Sequence, residues 1–562
     1  MTEITGSKAY VKTLESEGIK HIFGITGAAL IPICDELLDS DIRYVPGIHE
    51  QGSAHMADGY ARVSGTPGIV QVTSGPGATN IVTGIATAQL DSSPVLAVTG
   101  QVPMSMVGTD AFQEVDIIGV TASITKWNHQ VRDPKGIPWA IKAGLYVAGT
   151  GRRGAVLIDL PKNVTDEKAE MDFEVDIDFP GYRPIIEPDP QELDWASKIL
   201  NEAKRPVIVA GGGVIASGAS TDLTQLAELL LAPTATSLMG KGAIPSNHPL
   251  SLGLCGMHGR CEANYMIPSA DVLLVVGSRF SDRTTGNLEG FPTDARIVHI
   301  DIDRSEIDKN VEAITQVIGD AKYALRGLIN RISDRRKIKG KTSEWSDKID
   351  EFRKEVESPE IDSDITGPSA IKAIRSALPS DAIVTTDVGQ HQMWAALHFD
   401  VHEPGTFLTS GGLGTMGWGT PAAIGAKAAV PDRTILNISG DGSFAMTENN
   451  LSVAVDENLP VIVVVLNNKM LGMVAQWQRL FMNGRYSAVN RNYSVDFTEL
   501  AKDYGAHGVR AETISELSTE INKAVKGNYT AVIDVPIDPE ENVYPMIPPG
   551  MGLKDILTED IP

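Results

Sequence analysis

Short apolar runs alternate with helix-length segments along most of the chain, the pattern of parallel α/β sheets. In one block the run Gly68-Ile69-Val70-Gln71-Val72 enters Ser74-Gly75-Pro76-Gly77. A helical pattern then spans Asn80 to Leu90, and Asp91 and Pro94-Val95 lead into a second run. Far downstream, Arg433-Thr434-Ile435-Leu436-Asn437-Ile438 enters Ser439-Gly440-Asp441-Gly442. Its helical pattern spans Met446 to Val455, and Asp456 and Pro460-Val461 follow. This spacing predicts one shared βαβ plan, chance recurrence of strand, glycine turn and helix being the alternative. The blocks differ at one informative place, because Pro76 stands where the later block has Asp441.

Two charged, Pro-containing stretches read as linkers, Thr165 to Glu192 and Ser333 to Gly367, the second with room for a solvated helix over Trp345 to Val356. The expected domains are therefore 1–175, 190–340 and 365–541, with a Pro-rich tail at 542–562. The longest apolar run, Leu459 to Leu466, has the length of a buried strand and falls far short of the ~20 residues of a spanning helix. The first twenty residues mix Glu3, Lys8, Lys12, Glu15 and Glu17 with apolar positions, so a signal peptide is not expected.

Composition narrows the function. With 72 acidic against 48 basic residues the 562-residue chain carries a formal charge of −24, which argues against sequence-independent binding to nucleic acid or anionic membrane. Cys34, Cys255 and Cys261 form neither a disulfide framework nor a Cys-rich zinc site and suit a reducing cytoplasm. Small-molecule chemistry remains, with anionic ligands held in local pockets.

The candidate chemistry lies in the later block. Gly440-Asp441-Gly442 is placed at one strand end and Asn467-Asn468 at the next, with a crossover between them. In an open parallel sheet both loops reach the same carboxyl edge, where ligands bind. A carboxylate and amide oxygens beside glycines suit Mg²⁺, which takes one or two carboxylates and completes its shell with phosphate and water. Taken singly, each element also fits a plain Gly-Asp-Gly turn or an Asn strand-end cap.

Together these residues resemble the signature of the thiamine-diphosphate enzymes. Gly47-Ile48-His49-Glu50-Gln51-Gly52, Thr386 to Trp394 and Ser410 to Gly417 extend the match. Gly472 to Gln478, Arg279 to Arg283, Asp110 to Glu114 and Asp159-Leu160-Pro161-Lys162 resemble the acetohydroxyacid synthase (acetolactate synthase) catalytic subunit, from about residue 3 into the tail. Ser281 and Lys469 depart from the family pattern, where a second Asp and a neutral residue are usual.

The resemblance implies three Rossmann-like parallel-sheet domains: pyrimidine-binding, central FAD-binding and diphosphate-binding. It implies Glu50 as the catalytic carboxylate, with Gln113 and Lys162 bonding intermediates. Phe112, His258, Arg283, Met473 and Trp477 would face the substrate, Arg283 clamping a keto-acid carboxylate and Trp477 sizing its alkyl chain. Lys162 fits a surface cap equally well, and His258 an ordinary satisfied histidine. Asp441, Asn468 and the Met470 carbonyl would hold Mg²⁺. Gly389, Gln390, His391, Gly414, Gly440, Gly442 and Ser443 would hold the thiamine cofactor, Met416 propping it bent unless it is a plain core methionine. FAD would be lined by Arg152, Gly211, Gly212, Gly213, Met257, Gly277, Arg279, Asp301 and Asp320. The glycine run technically satisfies a dinucleotide fingerprint but lacks the acidic residue at the next strand end. The implied activity joins a two-carbon unit from pyruvate to pyruvate or 2-oxobutyrate. The partners would be 2-keto acids, a second copy of the chain in a homodimer or tetramer, and a small regulatory subunit. A pyruvate-oxidase type of enzyme is the alternative on the same scaffold.

Overall fold

The computed structural model describes residues 2–179, 181–288, 291, 294–332, 345, 348–349, 365–491 and 495–558. Three six-stranded sheets, parallel throughout, carry the fold. In spatial order the first comprises 43–46, 21–25, 68–72, 95–101, 155–161 and 127–130. The third comprises 407–409, 383–386, 435–440, 462–467, 531–536 and 507–510. With strands numbered in chain order within each sheet, both run 2-1-3-4-6-5, so the repeat inferred from spacing is a repeat of topology. The middle sheet runs 251–254, 234–236, 206–210, 272–276, 296–301 and 315–318, which is 3-2-1-4-5-6, the dinucleotide-binding order.

The strands are near-continuous apolar runs because helices cover both sheet faces, as in Val95–Gln101 and Val272–Val276, which are buried at every position. One core cluster joins the first and third sheets, bringing Val70 and Ala97 together with Val463, Phe444 and Trp418. Two helices meet inside it, Glu50–Ser64 and Gly419–Ala429. Their backbones approach closely because they cross at glycines. A Cβ at Gly59 would lie 2.1 Å from the Ala422 carbonyl, and one at Gly425 would lie 1.8 Å from that of Met56. The helix headed by Glu50 is thereby fixed to the third domain of its own chain.

Three expectations change. The first linker is only partly irregular, since Lys168–Met171 pairs antiparallel with Thr2–Thr5, an alliance of distant segments that local pattern cannot show. In the second, Trp345 and Ile349 are buried in the middle core, and the Trp345 indole donates to the Pro206 carbonyl at 3.1 Å, so these positions of the expected solvated helix face inward. The rest of that stretch, apart from Lys348, lies outside the described residues. The single helix expected over Met446 to Val455 is instead two, Asp441–Thr447 and Asn450–Asp456, and Asp441 is the first residue of the first of them rather than a loop residue. An acidic side chain in the first turn complements the exposed N–H groups there. Among the described residues no helix is long and apolar enough to cross a membrane.

Candidate active site

The carboxyl edges of the middle and third sheets open into one continuous cavity of about 1030 Å³. That is at the top of the ~300–1,000 Å³ of a single-ligand pocket. On the third-sheet side, strands 383–386 and 435–440 are neighbours at which the chain order reverses, so the loops after them part around the cavity. His391 stands between the two strand ends. A Cβ at Gly389 would lie 2.8 Å from its ring and one at Gly440 would lie 2.7 Å, so glycine at both positions makes room for the imidazole. Burial pushes His391 down to about 3, which keeps the ring neutral, and its Nε2 has no hydrogen-bond partner among the described residues.

Asp441 lines the same edge, is 1% exposed, and its Oδ2 is also without a partner among the described residues. Burial pushes its carboxyl up to about 7, against the pull of the backbone N–H groups of Asp441, Gly442 and Asn468. Asn468 follows strand 462–467; its Oδ1 accepts from Met470 N at 3.0 Å and its Nδ2 donates to Gln390 Oε1 at 3.1 Å, which fixes the amide's orientation. An unpaired buried carboxylate beside an oriented amide oxygen is a donor set for a hard cation. Among the described residues no three His, Cys, Asp or Glu side chains are grouped to hold a metal. A cation here would therefore rest on one carboxylate and neutral oxygens, as Mg²⁺ does when phosphate completes its shell. Ser443 donates to the Val388 carbonyl at 3.1 Å and, with Gly442, Gly414 and Met416, completes this wall.

The substrate-side residues divide. His258, Arg283, Met473 and Trp477 line the cavity, and Phe112, Gln113 and Lys162 do not. Burial pushes His258 down to about 4, and its Nδ1 faces the Pro545 carbonyl at 3.3 Å. A carbonyl only accepts, so Nδ1 carries the proton and Nε2 keeps its lone pair. Arg283 is largely exposed beside Asp282 at 3.7 Å, leaving most of its donors available. Trp477 lies edge-on to Phe481 at 6.1 Å.

Glu50 also lies off this cavity. It opens helix 50–64 at the carboxyl edge of the first sheet, where its Oε2 accepts from Asn80 at 2.9 Å. His49 is the cap of that helix, its Nδ1 accepting from Gln51 N at 3.1 Å. Gln113, in a left-handed conformation with φ 59°, lies over Gly75 on the same edge. Phe112 beside it is 87% exposed. Lys162 is half-buried as the first residue of helix 162–166. One chain thus presents two separate edges, one on the first sheet with Glu50 and Gln113 and one on the third with His391, Asp441 and Asn468.

On the middle-sheet side, Arg152, Gly212, Gly213, Met257, Gly277, Arg279, Asp301 and Asp320 line the cavity, and Gly211 lies just behind, packed on Gly277. Burial pushes Asp301 up to about 6. Asp320 caps helix 321–329 by accepting from Lys322 N. No acidic residue ends the second strand, 234–236; acids on this edge include Asp301, at the end of strand 296–301, and Asp320, after strand 315–318.

Gln476 had no role in the sequence reading. Fully buried, it accepts from Gln390 at 3.1 Å and from Val543 N at 2.8 Å, and donates to the Val543 carbonyl at 3.1 Å. The tail it holds continues to the middle domain, where Ile547 N donates to the Met257 carbonyl at 2.7 Å. Its sequence signal is its place one helical turn after Met473 and directly before Trp477.

Comparison with known proteins agrees along the whole chain. The N-terminal TPP binding domain of thiamine pyrophosphate enzymes matches residues 4–120, their central domain 193–328, and their C-terminal TPP binding domain 387–535. A probable acetolactate synthase large subunit of Methanocaldococcus jannaschii is 46% identical over 566 residues, covering 98% of this chain and 95% of the relative. The acetolactate synthase large subunit of Corynebacterium glutamicum is 42% identical, covering 98% and 90%. That of Buchnera aphidicola is 40% identical, covering 99% of each.

Proposed function

The chain belongs to the acetolactate synthase large subunits among the thiamine pyrophosphate enzymes, and from that premise we propose that it decarboxylates pyruvate and joins the two-carbon unit to pyruvate or 2-oxobutyrate. The products are 2-acetolactate and 2-aceto-2-hydroxybutyrate, precursors of branched-chain amino acids. The observation that carries this reading is the buried Asp441 carboxyl, one of whose oxygens has no partner among the described residues, in one cavity with Arg283 and Trp477.

Asp441, the Asn468 side chain and the Met470 carbonyl would hold Mg²⁺ against the diphosphate, with Gly389, Gln390, His391, Gly442 and Ser443 around it. Bound thiamine diphosphate would supply a nucleophilic thiazolium carbon that adds to the keto carbonyl, and a ring that stores the electron pair left after loss of CO₂. Glu50 would hold and return a proton at the pyrimidine nitrogen. Because it lies off the cavity of its own chain, Glu50 of the partner subunit serves each site, and the smallest active unit is a homodimer. Phe112, Gln113 and Lys162 belong to the same edge and arrive with it, which gives the exposed Phe112 ring something to cover. His258 stays neutral and offers a lone pair. Arg283 presents its guanidinium fork to the carboxylate of the second keto acid. The middle sheet's order, its glycine turn and Arg152, Arg279 and Asp301 fit FAD, structural in a reaction with no net redox change. The relatives are named large subunits, so a smaller companion subunit belongs to the reading. We place the enzyme in the cytoplasm.

The deciding assay supplies pyruvate, with and without 2-oxobutyrate, to the purified protein with thiamine diphosphate, Mg²⁺ and FAD. Acid-released acetoin is expected. Oxygen uptake with peroxide instead would favour the oxidase.

Trp477 gives a finer prediction. An aromatic wall separates ethyl from methyl by roughly 1–3 kcal/mol per methylene. Trp477→Leu is therefore expected to lower the ratio of 2-aceto-2-hydroxybutyrate to 2-acetolactate in a two-acceptor competition about tenfold or more. An unchanged ratio would remove Trp477 from acceptor selection.

A further inference from the structure

The first domain contributes to this chain's own cavity at three places, Ala61 and Arg62, the turn Leu90 to Pro94, and Gly149 to Arg153. Asp91, at the C-terminus of helix 82–90, is buried, and its Oδ1 accepts from Gly412 N at 2.6 Å. Gly412 belongs to the loop that runs from Ser410 to Met416 along the cavity wall. The other Asp91 oxygen accepts from Arg62 at 2.8 Å. Arg62 is held in turn by both oxygens of Asp58, at 2.7 and 2.8 Å, and donates to the Thr409 carbonyl at 2.7 Å, just ahead of the same loop. Its guanidinium lies 4.6 Å from the Trp418 ring, whose indole N–H donates to Asp58 at 2.8 Å.

The next residue faces the other way. Ser92 Oγ accepts from Arg152 Nε at 3.0 Å, and Arg152 pairs with Asp303 at 3.2 Å and Glu306 at 2.5 Å in the middle domain. Neighbouring residues thus reach the thiamine-type wall and the flavin-type wall. Burying two carboxylates and a guanidinium is poor value for stability compared with apolar packing, and its attested benefit is a fixed geometry.

We propose that Asp91 and Ser92 are positioning residues that set the two halves of the cavity in register. Asp91, braced by Arg62 and Asp58, holds the 410–416 loop, and Ser92 holds Arg152. The proposal rests on the reading that thiamine diphosphate occupies the third-sheet edge and FAD the middle-sheet edge. It makes the two contacts separable, one cofactor for each residue, which general loosening of the core would not produce.

The test is equilibrium binding to cofactor-stripped full-length protein. Thiamine diphosphate with Mg²⁺ is followed by calorimetry, FAD by quenching of flavin fluorescence, and thermal unfolding is recorded alongside. A hydrogen bond to a charged group supports roughly a ten- to hundredfold effect and a neutral acceptor a few-fold one. Asp91→Ala is expected to weaken thiamine diphosphate at least about tenfold with FAD within about twofold. Ser92→Ala is expected to weaken FAD about threefold or more and leave thiamine diphosphate unchanged. Gly412→Ala approaches the first contact from the loop, where a Cβ would lie 2.7 Å from Asp91 Oδ1, and is expected to reproduce Asp91→Ala even if that variant fails to fold. Equal weakening of both cofactors, or none, overturns the junction. Wild-type protein that binds FAD but no thiamine diphosphate overturns the reading of the third-sheet edge, and the junction with it.

Discussion

Replacing Glu50 by Gln is expected to lower kcat by ~10²–10⁴, the usual contribution of a positioned proton-transfer group, with thiamine diphosphate affinity within a few-fold of wild type. The argument is local. Gln keeps the length of the side chain and an oxygen able to accept the Asn80 amide at the present 2.9 Å contact, so the edge of the first sheet keeps its shape. What is lost is the carboxyl's ability to hold and return a proton. The two separate edges add a sharper form of the test. If Glu50 of the partner subunit serves each cavity, a Glu50→Gln chain and an Asp441→Asn chain are each inactive alone. Mixed and allowed to exchange subunits, they regain up to about a quarter of wild-type specific activity, because one cavity in half of the dimers is intact. Near-normal activity of Glu50→Gln would end the catalytic assignment. No recovery in verified mixed dimers would end the two-chain site.

Asp441→Asn is expected to abolish most Mg²⁺-dependent binding of thiamine diphosphate, a loss beyond the ~10–100-fold cost of disturbing a ligand's supporting hydrogen bonds. The same substitution has a predictable effect on the metal-free protein, with opposite sign. In the folded chain burial holds the Asp441 carboxyl at about 7, well above the ~3.9 of an exposed aspartate. Between those values the folded state binds the extra proton, so stability falls as pH rises from about 4 toward 7 and stays low above it. Metal-free wild type should therefore melt at a lower temperature at pH 8 than at pH 5.5. Asp441→Asn, which has no carboxyl to ionise, should lose less over that interval. Mg²⁺ with thiamine diphosphate should restore wild type at pH 8 and do little for the variant. Because the ion requires the carboxylate, its affinity should weaken as pH falls below about 7. Parallel melting curves across pH for the two proteins would show that Asp441 does not ionise in the buried site.

Much of this was legible from residue order because the relevant signals are short. Gly440-Asp441-Gly442 and Asn467-Asn468 each sit at the end of an apolar run, and a parallel sheet brings successive strand ends to one edge. The matching intervals in the two outer blocks anticipated a common topology, which both sheets have. The glycine run at 211–213 was legible as a turn, but the strand order that makes its sheet a dinucleotide type was not. Order depends on which strands pair, and pairing is decided by helices packing over both faces. Helix starts were less legible. The pattern read as one helix from Met446 showed neither the break between Thr447 and Asn450 nor the first turn at Asp441, whose carboxyl faces N–H groups rather than the core.

The sequence by itself determined the elements, the family and the identity of the chemical groups, since strand length, turn glycines and acid or amide side chains are local properties. Only the tertiary structure decided which groups share a space. It placed Asp441, Arg283 and Trp477 in one cavity, and it put Glu50 on another edge although its helix packs against the third domain. It buried Trp345 and Ile349 in a stretch whose composition reads as solvated. It also joined Asp91 to Gly412, residues 321 apart in the chain. Contacts of that range follow from the closing of one core around two sheets, and no local pattern records them.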